Sequence, residues 1–223
     1  LVALRTPGRA PTAAYVEALR REIALLAPVV EGLLVSSIHV GGGTPTILLA
    51  AELDALLGDL VAAFRPGAGF AIGVEAHPNS TTPDRVEALA RHGVARVSFG
   101  VETMTPDVLR AVDRADQTAA SVARAVALAR AVGLEVNFDL LAGLPGETEA
   151  TWADSVRQAL ALEPDSMSVN RFIAENSPLA ERGWLPDEEQ RRCTDAMVLA
   201  ADRVIRELRP PSFPPEPMRE SGY

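Results

Sequence analysis

One cysteine, 4% aromatic residues and no long apolar run each narrow what this chain of 223 residues can be. Cys193 alone can neither close an internal disulfide nor hold a metal cluster, so no metal centre is expected on these residues by themselves. A nucleic-acid surface needs basic patches and stacking rings, and a formal net charge of -9 with so few aromatics argues against one. A small-molecule partner is expected instead. No apolar stretch approaches the ~20 residues of a membrane span, and no charged start leads into a short apolar stretch and cleavage site, so the chain is read as cytoplasmic. The first residue is Leu1 and the last segment is rich in proline, so both ends are expected to be cuts in a longer protein.

What is present is enough for one core, since 48% of the residues are hydrophobic. Residues 1–207 read as that core and residues 208–223 as a proline-rich tail or truncated linker, with RPPSFPPEP at 209–217. Val16, Leu19, Ile23 and Leu26 recur at helical spacing and place a helix over residues 12–26; Leu53, Leu56, Leu57, Leu60 and Phe64 mark a second. Between them, residues 36–40 form a short β-prone run that stops at Gly41, Gly42 and Gly43. Further strand candidates at 70–76, 95–101, 134–140 and 166–172 alternate with helices. Thr82, Thr105 and Thr148 stand where a capping hydroxyl starts a helix, and Gly93 and Gly133 where a helix ends. Five strands separated by helices predict a parallel sheet with right-handed crossovers.

The strands are apolar on one face only. Val97, Phe99 and Val101 alternate with Ser98, Gly100 and Glu102, and Val136, Phe138 and Leu140 with Asn137 and Asp139. A parallel strand covered by helices on both faces would be apolar on both. The pattern predicts a partial parallel (β/α) barrel, with small and polar groups on the inner face and the chemistry at the carboxyl ends of the strands. There the sequence places the glycine run, Glu75, Glu102, Asp139 and Asn170. Glu75, Glu102 and Asp139 are expected to share one mouth, where Arg114 or a cationic ligand offsets their mutual repulsion.

Taken alone, three glycines after a strand serve equally as a tight turn or as exposed backbone for a ligand. Five strings in order are more specific: IHVGGGTPT at 38–46, VEAHP at 74–78, VSFGVET at 97–103, VDR at 112–114 and FDLLAGLPGET at 138–148. Together they resemble the motifs of the oxygen-independent coproporphyrinogen III oxidase family of radical S-adenosylmethionine (SAM) enzymes, over about residues 12 to 175. The resemblance implies a radical SAM barrel, SAM and a [4Fe–4S] cluster as cofactors, and cleavage of SAM to a 5′-deoxyadenosyl radical. It places Gly41, Gly42, Gly43 and Thr44 at the amino and carboxylate groups of SAM, with Glu75 and Arg114 at further SAM groups. Glu102 stands where the family usually has glutamine, and Asp139 near a ribose or a second SAM. The family's CxxxCxxC loop follows a first strand ahead of the 12–26 helix, and only LVALRTPGRAP stands there, so strand and cluster loop are expected to lie outside this chain.

The resemblance further implies hydrogen abstraction from a tetrapyrrole-like or other organic substrate, with electrons from a reductase or flavodoxin-type donor. A radical methyltransferase and a haem-binding chaperone-type protein are the alternatives within the family. An ordinary barrel lyase or aldolase ranks last, since it lacks a lysine or metal set in the right places. His39, His77 and His92 show no metal-ligand spacing, and His92 reads as a cation at a helix end. Cys193 shares an apolar stripe with Met197, Ala200 and Val204 and is expected to be buried; Asp187, Glu188 and Glu189 read as a solvated first turn.

Overall fold

A computed structural model describes residues 12–64, 66–173 and 188–208. The elements run α1 (Thr12–Leu26), β1 (Val35–Val40), α2 (Ala50–Ala63), β2 (Pro66–Ala76), α3 (Pro83–Arg91), β3 (Val94–Glu102), α4 (Pro106–Ala111) and α5 (Ala119–Ala131). Then follow β4 (Glu135–Ala142), α6 (Glu149–Leu160), β5 (Ser166–Arg171) and α7 (Glu188–Leu208). Short 3-10 turns at Pro45–Ile47 and Pro78–Ser80 follow β1 and β2. The strands lie in the order β1-β2-β3-β4-β5, and both the β1/β2 and β4/β5 ladders are parallel. A doubly wound sheet would reverse its strand order at a switch point. This order never reverses, and the fold is the partial parallel (β/α) barrel that the alternation predicts. No helix among the described residues is long and apolar enough to cross a membrane. The stretches at 1–11 and 209–223, which carry the expectations about the missing strand and the tail, lie outside the described residues, as does Asp187.

The chain gathers into two compact units, Leu1–Ser98 with Ala127–Glu135, and Phe99–Val126 with Val136–Tyr223. The dividing points fall inside β3, α5 and β4. In the first unit α1 packs on α2 and α2 on α3, and Leu53, Leu57, Val74 and Leu89 are fully buried or nearly so. Arg20 Nε donates to Asp59 Oδ2 at 2.6 Å, fastening α1 to α2 at the rim of that core. In the second unit α6 packs on α7. The wholly buried Trp152 donates its indole N–H to the Met197 carbonyl at 2.8 Å, which removes the cost of burying that donor.

The one-sided strand pattern is present as expected. In β2 Ile72 and Val74 are buried while Gly73 and Glu75 are half-buried, and in β5 Met167 and Val169 alternate in the same way with Ser166, Ser168 and Asn170. β2 begins four residues before the expected start, and its register with β1 jumps between Val35 and Ser37. The extra residues include Gly69 at φ +71, and such an irregular stretch carries no two-residue alternation. Gly93 and Gly133 end their helices at φ +71 and +80, where a side chain would be strained.

Two expectations need correction. Thr82, Thr105 and Thr148 are all N-cap residues, but only Thr148 caps with its side chain, accepting from Thr151 N. The Thr82 hydroxyl turns to Asp84, and the Thr105 hydroxyl meets Ser155 Oγ at 3.0 Å. Cys193 is exposed, not buried. The covered track of α7 runs through Met197, Ala201 and Val204, and back one step it reaches Thr194, so Cys193 falls on the flank.

Candidate functional site

In the first unit the glycine loop and Glu75 form one arrangement. His39 on β1 pairs in register with Gly73 on β2, so Glu75, two residues on, shares the face of His39. His39 Nε2 lies 3.0 Å from Glu75 Oε1, and Gly42 N–H donates to Glu75 Oε2 at 3.1 Å. A Cβ on Gly41 would stand 2.5 Å from the Glu75 carboxyl carbon. The carboxylate therefore occupies the space a side chain at position 41 would fill. Gly42, at φ +85, and Gly43 have nothing within 4 Å of their absent Cβ positions, so this stretch can be approached without side-chain clash while the Gly42 N–H is held by Glu75.

The loop's far end is anchored. Thr44 leads into the turn, its carbonyl accepting from Ile47 N at 2.9 Å. The buried Thr46 meets Ser80 Oγ at 2.7 Å and accepts from His77 N at 3.2 Å. Arg85 donates to the Leu48 carbonyl at 2.7 Å and the Ser80 carbonyl at 3.1 Å, tying the segments after β1 and β2 together.

In the second unit Glu102 and Arg114 form an ion pair, with Arg114 Nη2 2.8 Å from Glu102 Oε1. Arg114 Nη1 also donates to the Gly100 carbonyl at 2.8 Å and to Gln117 Oε1 at 3.2 Å. Gln117 in turn donates to the Val101 carbonyl at 2.6 Å. The end of β3 is thus held by side chains, and Glu102 itself adopts φ 63, a left-handed conformation that non-glycine residues rarely take. A Cβ on Gly100 would come within 2.9 Å of Glu102 Oε1, so this pair too depends on a glycine. Asp139 accepts from Asn137 Nδ2 at 2.8 Å, and Asn137 accepts from Ser166 Oγ at 2.8 Å. Asp139 lies three residues before the end of β4 at Ala142, deeper than the strand-end position expected of it.

Sequence reasoning missed two groups. His39 looked bland because its partner lies 36 residues away, although two-residue alternation does put it on the face of Gly41. Glu147 was the other. Thr103, wholly buried, donates to Glu147 Oε1 at 2.6 Å and meets Ser155 Oγ at 2.9 Å, while Met104 N donates to Ser155 Oγ at 3.1 Å. Glu147 Oε2 is sealed without a hydrogen-bond partner, the one such side-chain atom among the described residues. Burial pushes the Glu147 carboxyl up to about 7 against the smaller opposing effect of the Thr103 bond. An acidic residue directly after the apolar string LLAGLPG, one place before the cap Thr148, was the available signal.

Open backbone beside an anchored carboxylate fits a ligand that presents an ammonium and a carboxylate, as the amino-acid end of SAM does. No group of three His, Cys, Asp or Glu residues among those described could hold a metal ion, so the ligands of an iron–sulfur cluster are not found here. The fold and the glycine loop define a parallel βα protein with a carboxylate-bearing glycine turn at its strand ends. The Radical SAM superfamily model matches residues 4–159, and the chain belongs to that superfamily, whose members use SAM with a [4Fe–4S] cluster.

Among curated relatives, the oxygen-independent coproporphyrinogen III oxidase of Bradyrhizobium diazoefficiens is 38% identical over 182 residues, 78% of this chain and 40% of that protein. The heme chaperone HemW of Bacillus subtilis is 33% identical over 162 residues, 69% of this chain and 42% of that protein. The solved coproporphyrinogen III oxidase HemN of Escherichia coli superposes with a TM-score of 0.79 at 29% identity, over 91% of this chain and 47% of that one. The chain spans about two fifths of the length of the curated relatives.

Proposed function

We propose that the intact protein is a radical SAM oxidoreductase of the coproporphyrinogen III oxidase kind, and that this chain supplies the SAM side of its site. The observation that carries the reading is Glu75, held between His39 and Gly42 N–H beside the open backbone of Gly42 and Gly43. In it Gly41, Gly42, Gly43 and Thr44 receive the amino-acid end of SAM, and Glu75 accepts its ammonium. Arg114, Glu102 and Asp139 serve the remaining groups, a carboxylate such as Asp139 being suited to a ribose diol. When bound and reductively cleaved, SAM supplies hydrogen-atom abstraction. The cluster ligands lie outside the described residues, and the electrons come from a reductase or flavodoxin-type donor.

The substrate in this reading is tetrapyrrole-like, supported by the 38% identity to the Bradyrhizobium oxidase. A test incubates the anaerobically reconstituted intact protein with coproporphyrinogen III, SAM and a reductant and follows the porphyrinogen by mass spectrometry. A decarboxylated, desaturated product is expected. Unchanged porphyrinogen with SAM consumed would remove the substrate assignment and keep the superfamily chemistry. The 33% identity to HemW favours a second reading, a protein that carries haem and oxidises no porphyrinogen. Tight, stoichiometric haem binding without porphyrinogen turnover would favour that reading over the first.

A further inference from the structure

We infer that His39 is a positioning residue for the amino-acid end of the ligand, acting through Glu75 in a seat that exists because position 41 is glycine. The inference rests on the SAM-binding reading above and adds to it the groups that aim the carboxylate. The terminal torsion of a glutamate is soft, and a carboxylate held at one oxygen still swings. Here the two oxygens are held by different donors, His39 Nε2 on Oε1 at 3.0 Å and Gly42 N–H on Oε2 at 3.1 Å. That fixes the plane of the group. Each oxygen retains a second lone pair for a ligand ammonium.

Two glycines, Gly41 and Gly42, make the arrangement possible, and a third, Gly73, lies under the histidine ring. The His39 ring lies over Gly73, its Nδ1 3.6 Å from where that residue's Cβ would be, and so reaches along β2 to Glu75. Gly42, at φ +85, turns its N–H onto Oε2. Gly41 leaves the volume the carboxyl group fills, its missing Cβ 2.5 to 2.8 Å from all three carboxyl heavy atoms. Stability does not explain the pair. The His39 and Glu75 side chains are 47% and 36% exposed, and an ion pair so open to water adds little to folding. Its effect is to pre-order an acceptor beside bare backbone, which raises affinity by lowering the ordering cost of binding.

The test measures equilibrium binding to the intact, anaerobically reconstituted protein with two probes. One is SAM; the other is 5′-methylthioadenosine, which keeps the nucleoside and lacks the amino-acid end. His39→Ala is expected to weaken SAM about tenfold, as loss of one hydrogen bond to a charged group does, and to leave methylthioadenosine unchanged. His39→Gln, which keeps an N–H at similar reach, should restore SAM binding to within about twofold of the parent by the same reckoning. Gly41→Ala, which displaces the carboxylate without touching the histidine, should repeat the selective loss and serves if His39→Ala folds poorly. His39→Ala binding SAM like the parent would overturn the inference, and so would equal losses for both probes, which mean a structural role only. A parent protein that binds neither probe would overturn the SAM reading along with it.

Discussion

Replacing Glu147 by glutamine should remove a pH dependence from the stability of the protein. The Glu147 carboxyl is held up to about 7 by burial, against an ordinary value of 4.5. The folded state therefore prefers the neutral acid. Its contribution to stability is fully present below the ordinary value and is lost as pH rises through about 7. The difference of about 2.5 units corresponds to ~3 kcal/mol lost between pH 4.5 and pH 8. Glutamine cannot ionise, and its carbonyl still accepts the Thr103 hydroxyl that now donates at 2.6 Å. Its amide N–H groups take the place of Oε2, the buried atom without a partner, so the variant inherits about the cost that the neutral acid already carries. Urea unfolding at pH 5 and pH 8.5 reads the outcome. The variant should match the parent within about 1 kcal/mol at pH 5 and exceed it by about 2–3 kcal/mol at pH 8.5. Equal pH slopes for parent and variant would refute the reasoning, since every other titrating group is common to both.

Two further outcomes follow from packing. Gly143 sits at φ +92 and a Cβ there would lie 2.2 Å from Thr194 Oγ1, so Gly143→Ala should cost about 2 kcal/mol or more, measured by urea unfolding. A neutral result would mean that α7 does not seat against the loop after β4 as described. Cys193 is exposed on α7, so the native protein should react with a thiol reagent at this site without denaturant, whereas the protection of a buried thiol would contradict its placement.

The fold was legible because its signals are local. Val97, Phe99 and Val101 alternating with Ser98, Gly100 and Glu102 reflect a strand with one packed face, and the burial of β3 follows that order from Phe99 to Glu102. Helix ends at Gly93 and Gly133 were legible for the same reason, since a left-handed residue is a property of one position. What failed depends on partners distant in sequence. The Thr105 hydroxyl serves Ser155, 50 residues on, rather than its own helix. Glu147 finds its hydrogen-bond partner, Thr103, 44 residues back, and His39 finds its own 36 residues on. Cys193 matched the helical stripe in spacing, but which turn of α7 lies against Gly143 is set by packing. In the site, motif order identified the residue types at the strand ends and set Arg114 among the carboxylates, whereas its choice of Glu102 and its bond to the Gly100 carbonyl depend on the fold.

A chain that forms the SAM side of a radical enzyme should support reductive cleavage of SAM. The intact protein, reconstituted anaerobically with iron and sulfide, is given SAM and dithionite, and the products are quantified by mass spectrometry. 5′-Deoxyadenosine and methionine are expected in equal amounts, with formation sharply reduced in Glu75→Gln, which loses the charge held between His39 and Gly42. A protein that carries a full cluster and releases no 5′-deoxyadenosine, or a Glu75→Gln variant that cleaves SAM like the parent, would contradict the SAM reading.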